Sequence, residues 1–217
     1  MIADERTAAY IDSLDKGNTP FLNELESYAI QTYVPVIRRA AQNLLKLLLQ
    51  MKQPEQILEV GTAIGFSTLL MAEYGPKDCH ITTIEKYEKR IPLAKENFRK
   101  AGKERQITLI EGDASAVLEM LAGKQPESFD FIFMDAAKGQ YLHFLPPVLK
   151  LLKPAGLLIS DNVLQDGDII ESRFAVTRRN RTIHARMRDY LYALMNEECL
   201  QTSILPLGDG MTISVKK

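Results

Sequence analysis

Two short stretches carry the residues best suited to chemistry. "FMDAAKGQY" closes an apolar run on Asp135, and "LISDNV" closes another on Asp161 and Asn162. Two carboxylates and an amide oxygen form an all-oxygen, hard donor set that suits Mg2+ and admits Ca2+ or Mn2+. Three protein donors leave positions for water and substrate. A substrate with two adjacent oxygens could chelate such an ion, which would orient one oxygen and lower its hydroxyl pKa. Lys138 follows Asp135 by three residues and could take that proton or stabilise the oxyanion. The plainer reading of Lys138 is a solvated loop lysine.

A second cluster lies upstream. "LEVGTAIGFST" places Gly61 and Gly65 between a strand-like run and a helix-like run. Glycine lets a ligand approach the backbone, and a helix start offers free amides. The spacing is E-x-G-x-x-x-G, without the middle glycine that the dinucleotide fingerprint uses to admit a pyrophosphate. Glu85 comes 24 residues after Gly61, where a carboxylate can accept two ribose hydroxyls. Asp113, in "EGDAS", is placed to meet an adenine edge. With Glu59, these residues fit an adenosine ligand lacking a pyrophosphate, and S-adenosylmethionine (SAM) is the expected one. A ligand-free fold with tight turns is the competing reading; the missing glycine disfavours a dehydrogenase.

The elements that position these groups can be read from the pattern. The apolar runs 56–61, 80–85, 107–113, 129–135 and 156–162 alternate with helical patterns at 65–74, 87–101, 114–122 and 141–152. Such alternation predicts a parallel sheet covered on both faces. The polar residues fall at the strands' C-terminal ends, the ligand-binding edge of an open α/β sheet. Helix capping explains one or two of them, not all six. A last helix is expected near 183–197, capped by Thr182, with Ile183, Met187, Leu191 and Leu194 buried. "TSILPLG" and "MTISVKK", separated by "DG", predict an antiparallel hairpin. Residues 1–54 read as a helical cap and 55–217 as the α/β core of one domain.

The chain of 217 residues is 46% hydrophobic and 25% charged, with net charge −1. Any anion-binding surface must therefore be local. "RFAVTRRNRTIHARMRD" holds six of the twelve arginines between Arg173 and Arg188, with no acid among those residues. Arginine favours bidentate phosphate contacts and stacking, and the segment follows directly on Asp161 and Asn162. A solvated helix face and loop, or pairing with acidic N-terminal helices of a second subunit, is the plainer reading. Residues 1–30 hold six acids against Arg6 and Lys16. Two isolated cysteines, the absence of a secretory leader and the absence of an apolar run of ~18 residues predict a cytoplasmic protein.

Together "ILEVGTAIGFSTLLMA", "EGDAS", "FDFIFMDAAKGQY" and "LLISDNV" resemble the metal-dependent class I O-methyltransferases of the catechol and caffeoyl-CoA type. The resemblance runs from about Val36 to the C-terminus. It implies a seven-stranded, mostly parallel Rossmann-like sheet whose last strand but one lies at the edge. It implies the methionine part of SAM near Val36, Gly61, Thr62 and Ser67, ribose on Glu85, and adenine near Asp113 and Ala114. It implies a metal on Asp135, Asp161 and Asn162, with Asp135 also bordering the cofactor, and Lys138 as the catalytic lysine. The chain departs from the family in lacking tryptophan, in "DAA", and in Arg38 and Arg39 of "PVIRRAAQNLL". These departures turn the resemblance toward members that methylate 5-hydroxyuridine at the wobble position of tRNA, whose C5 hydroxyl and C4 carbonyl form a vicinal oxygen pair. Arg38, Arg39, Arg173, Arg178, Arg179, Arg181 and Arg186 are then expected to bind the tRNA anticodon loop. A small-molecule substrate, with the arginines on coenzyme A phosphates, and a non-catalytic adenosyl- or RNA-binding protein are the alternatives. A homodimer is expected.

Overall fold

The computed structural model describes residues 5–172 and 174–217. The N-terminal region carries α1 (Glu5–Ser13), α2 (Pro20–Gln31) and α3 (Arg39–Lys52). Strands and helices then alternate as β1 (Gln56–Val60), α4 (Phe66–Tyr74), β2 (His80–Glu85), α5 (Ile91–Lys100), β3 (Ile107–Glu111), α6 (Ala114–Lys124), β4 (Phe129–Met134), α7 (Tyr141–Leu151) and β5 (Leu152–Asp161). After α8 (Arg181–Asn196), β6 (Leu200–Leu205) and β7 (Met211–Lys216) close the chain.

One seven-stranded sheet has the order β3-β2-β1-β4-β5-β7-β6. The first five strands are parallel, and β7 runs antiparallel to both β5 and β6. The expected hairpin is therefore present, with β6 at the edge. Strand alternation divides the apolar residues between two cores. Ile57, Phe131, Phe133 and Ile159 face the side covered by α2–α5. Leu58, Ile132, Met134 and Leu158 face α6, α7 and α8. All eight are fully buried, which is why these strands read as unbroken apolar runs.

Two boundaries differ from the sequence expectation. β5 begins at Leu152 rather than 156, because α7 passes directly into it and the register to β4 shifts between Phe129 and Phe131. Helix α8 starts after Asn180, whose side chain makes no capping bond, and its buried stripe is His184, Met187, Tyr190 and Leu194. Ile183 and Leu191 are only half-buried, so the stripe is rotated by about one residue. The polar atoms of His184 and Tyr190 had masked their core positions: the Tyr190 hydroxyl shares a hydrogen with Ser160 Oγ at 2.6 Å. No helix among the described residues is long and apolar enough to cross a membrane.

Candidate active site

The strand order reverses between β1 and β4, leaving a crevice beyond their C-terminal ends. A cavity of about 520 Å³ occupies it. Val36, Gly61, Thr62, Ser67, Glu85, Asp113, Ala114, Asp135, Lys138, Asp161 and Asn162 all line this cavity. Residues spread over 127 positions of sequence are thus brought to one wall by the sheet's C-terminal edge.

The β1–α4 loop is built so that backbone can reach the cavity. Gly61 has φ of 105°, and a Cβ there would lie 2.1 Å from the Asp135 carbonyl oxygen. Any side chain would drive the two strand ends apart. Gly65, with φ of 86°, opens α4, and a Cβ there would strike the Phe98 ring at 2.5 Å. The Glu85 carboxylate accepts the N–H groups of Ala63, Lys86 and Tyr87 at 2.7, 3.0 and 2.8 Å. It is fixed at the cavity wall by backbone alone. Asp113 both caps α6, accepting Ser115 N–H at 3.0 Å, and pairs with Lys86 at 3.2 Å. Those donors hold its carboxyl below the usual range.

Glu59 does not face the cavity, contrary to the cofactor-binding role expected of it. It is fully buried beneath the loop, where Ser67, Thr68 and Thr83 donate their hydroxyls to it. Burial pushes its carboxyl up to about 7, and the three hydroxyls pull the other way. Its role is to hold Ser67 and the start of α4 in place. The sequence could not separate a strand-end carboxylate facing a ligand from one turned inward, because the pleat orientation at Glu59 depends on the sheet.

The other half of the crevice is differently equipped. Asp161 is 2% exposed, and one carboxylate oxygen accepts the Asn162 N–H at 2.7 Å. Burial pushes Asp161 up to about 7, and the neighbouring charge of Asp135 adds to the rise. Asp135 is raised by burial as well, with Lys138 opposing. The Asn162 backbone is left-handed, φ 59°, and its amide donates to Asp209 Oδ2 at 3.0 Å. Its amide oxygen is thereby distinguished from the nitrogen and left for another partner. Two buried carboxylates beside an amide oxygen form a hard-ligand set whose chemistry fits Mg2+. Among the described residues no three His, Cys, Asp or Glu side chains converge as a metal cluster, so Asp135 and Asp161 would need the amide oxygen to make a third donor.

Tyr141 knits the two strand ends behind these ligands. Its buried hydroxyl lies 3.1 Å from the Met134 carbonyl and 3.2 Å from that of Asp161, and accepts Ala136 N–H at 3.3 Å. The aromatic after "DAAKGQ" carried no sequence signal beyond apolar packing.

The described arginines of the expected set separate into four groups. Arg38 lines the cavity mouth, where it pairs with Asp166 at 2.7 Å and Asp209 at 2.5 Å. Arg39 departs from the expected RNA-binding set: its guanidinium is committed to Glu26 at 2.7 Å and Asp15 at 3.3 Å, joining α3 to the N-terminal helices. Arg186 donates to the Gly139 carbonyl at 3.1 Å, next to Lys138. Arg181 lies over the exposed Phe174 ring at 5.9 Å, and Arg178 and Arg179 are exposed. Arg173 lies outside the described residues.

This switch-point crevice, with a glycine loop on one side and a carboxylate–amide pocket on the other, lies in a Rossmann-like methyltransferase fold. The sequence profile of the O-methyltransferase family matches residues 12–217. The chain belongs to that family, in its class I, catechol and caffeoyl-CoA branch. It is similar to the caffeoyl-CoA O-methyltransferase of Populus kitakamiensis, 35% identical over 176 residues covering 78% of this chain and 73% of that protein. A Staphylococcus aureus structure, provisionally assigned as a caffeoyl-CoA O-methyltransferase, superposes with a TM-score of 0.89 at 34% identity, covering 99% of this chain and 100% of the other. A Podospora anserina methyltransferase solved with bound S-adenosylhomocysteine (SAH) gives 0.85 at 26% identity, over 98% and 94% of the two chains.

Proposed function

We propose that this O-methyltransferase uses SAM and a divalent cation to methylate the 5-hydroxyl of 5-hydroxyuridine at the wobble position of tRNA, giving 5-methoxyuridine. The observation that carries the RNA reading is the Arg186–Gly139 hydrogen bond, which ties the arginine-bearing helix to the loop presenting Lys138. Phosphates gripped by Arg178, Arg179 and Arg181 would place a splayed base near that loop, and the 83%-exposed Phe174 offers a stacking face.

Glu85 and the Gly61 loop hold the adenosyl moiety, and Asp135, Asp161 and Asn162 would hold the ion. Bound there, the ion would supply Lewis-acid chemistry that lowers the pKa of the substrate hydroxyl. Lys138 places an ammonium beside the developing oxyanion. The hydroxyl releases its proton to solvent water, its oxygen forms the new O–C bond as the S–C bond breaks, and SAH leaves. Positioning is most of the catalysis, since the sulfonium is already activated.

The relatives' names favour a second reading, a catechol or hydroxycinnamoyl-CoA substrate, with the arginines on coenzyme A phosphates. Labelled SAM and Mg2+ are supplied with tRNA lacking the methoxy group, with catechol, or with caffeoyl-CoA. Transfer to tRNA is expected; transfer to a small molecule alone would replace the RNA reading with the second. The exposed apolar side chains of Tyr10 and Ile11 on α1, of Leu14 just after it, and of Leu47 and Met51 on α3 support a homodimer, to be checked by light scattering.

A further inference from the structure

The structure assigns Asp209 as a positioning residue that sets which atom of Asn162 faces the cation site. This inference rests on the metal reading above and extends it to a residue outside the ligand set. Asn162 sits in left-handed backbone at the end of β5, so its side chain is not held by strand pairing. An amide presents oxygen or nitrogen at nearly equal steric cost, and only the oxygen can ligate a cation. Asp209 decides between them, because its Oδ2 accepts from Asn162 Nδ2 at 3.0 Å.

Asp209 is itself held on three sides. Arg38 lies 2.5 Å from its Oδ1, and this counter-charge opposes burial, which pushes the carboxyl up. The same guanidinium reaches Asp166 at 2.7 Å, in the turn after Asn162. Backbone closes the assembly: Val163 N–H donates to Gly210 O and Leu164 N–H to Asp209 O, both at 2.9 Å. Gly210 must lack a side chain, since a Cβ would lie 2.3 Å from Leu164. The β6–β7 turn is thus docked onto the β5 exit, and Asp209 is its one side chain that touches a proposed ligand. Arg38, assigned to RNA from the sequence, is engaged in this clasp.

The test is Mn2+ binding followed by electron paramagnetic resonance, beside SAH binding by calorimetry, on the full-length protein. Asp209→Ala should weaken Mn2+ by about 10-fold or more, the usual effect of losing a partner that orients a ligand. SAH affinity should stay unchanged. Asp209→Asn, which keeps an acceptor oxygen, should recover most of the loss, and Asp209→Leu keeps the volume should the alanine variant not fold. In an Asn162→Ala background the Asp209 substitution should have no further effect on Mn2+, as expected if it acts only through Asn162. Unchanged Mn2+ affinity in Asp209→Ala and Asp209→Leu overturns the assignment, as does an equal loss of Mn2+ and SAH. Wild-type protein with no saturable Mn2+ site would overturn the metal reading itself.

Discussion

The two halves of the crevice differ in how their charges are satisfied. At the β1–β2 end the carboxylates are complete: Glu85 takes three backbone N–H groups and Glu59 takes three hydroxyls. At the β4–β5 end Asp135 and Asp161 are both raised by burial, the charge of Asp135 adds to the rise of Asp161, and Lys138 opposes both. The first half is a wall whose carboxylates are already fixed by their own neighbours. The second is short of positive charge, which supports the ion proposed for it. On the proposed function, a shared strand edge would separate cofactor recognition from acceptor activation.

Removing a ligand from the incomplete half should have the largest effect. Asp161→Ala is expected to lower turnover by on the order of 10³-fold, about 4 kcal/mol of transition-state stabilisation. SAH binding, measured by calorimetry, should persist; if both fall together, the halves are not independent. In the complete half the damage should be to stability instead. Glu59→Ala leaves three buried hydroxyls without their acceptor, and an expected cost of about 3 kcal/mol would lower Tm by roughly 10 °C. A variant as stable as wild type would show that the hydroxyls re-pair locally.

The pH response distinguishes the halves next. Asp161 and Glu59 are both raised to about 7 from ordinary values of 3.8 and 4.5. An acid raised in the folded state contributes stability that is full below its unfolded value and lost as pH rises through the folded one. Metal-free protein should therefore show a Tm falling between about pH 4 and 7. Saturating Mg2+ should remove the Asp161 share and leave the Glu59 share. An Mg2+-insensitive pH profile would argue that Asp161 meets no ion. The smallest effect belongs to the periphery: replacing Arg178, Arg179 and Arg181 with alanine should weaken tRNA binding roughly 10-fold and flatten its salt dependence. An unchanged salt slope would return those arginines to a solvated face.

The sequence showed the sheet and the cavity-lining residues because strand ends in this fold fall where apolar runs stop. Asp135, Asp161 and Asn162 each close such a run, so their convergence needed only the parallel topology. Glu59 was misplaced by the same logic, since a run's end does not say which side of the pleat its last carboxylate takes. Arg39 and Arg38 looked like free cations because their partners lie 24 and 171 residues away in sequence, at Asp15 and Asp209. Asp209 was visible only as half of a "DG" turn; its contact with Asn162 depends on β7 docking antiparallel beside β5. Local pattern carried the chemistry of the strands, and long-range pairing carried the rest.

The division of labour across the crevice is tested most directly by titrating SAH into metal-stripped wild-type protein with and without Mg2+. SAH affinity is expected to change by less than about threefold, under 1 kcal/mol, while methyl transfer should require the ion. SAH binding that collapses in chelator would contradict it, showing that the cofactor wall is not complete on its own.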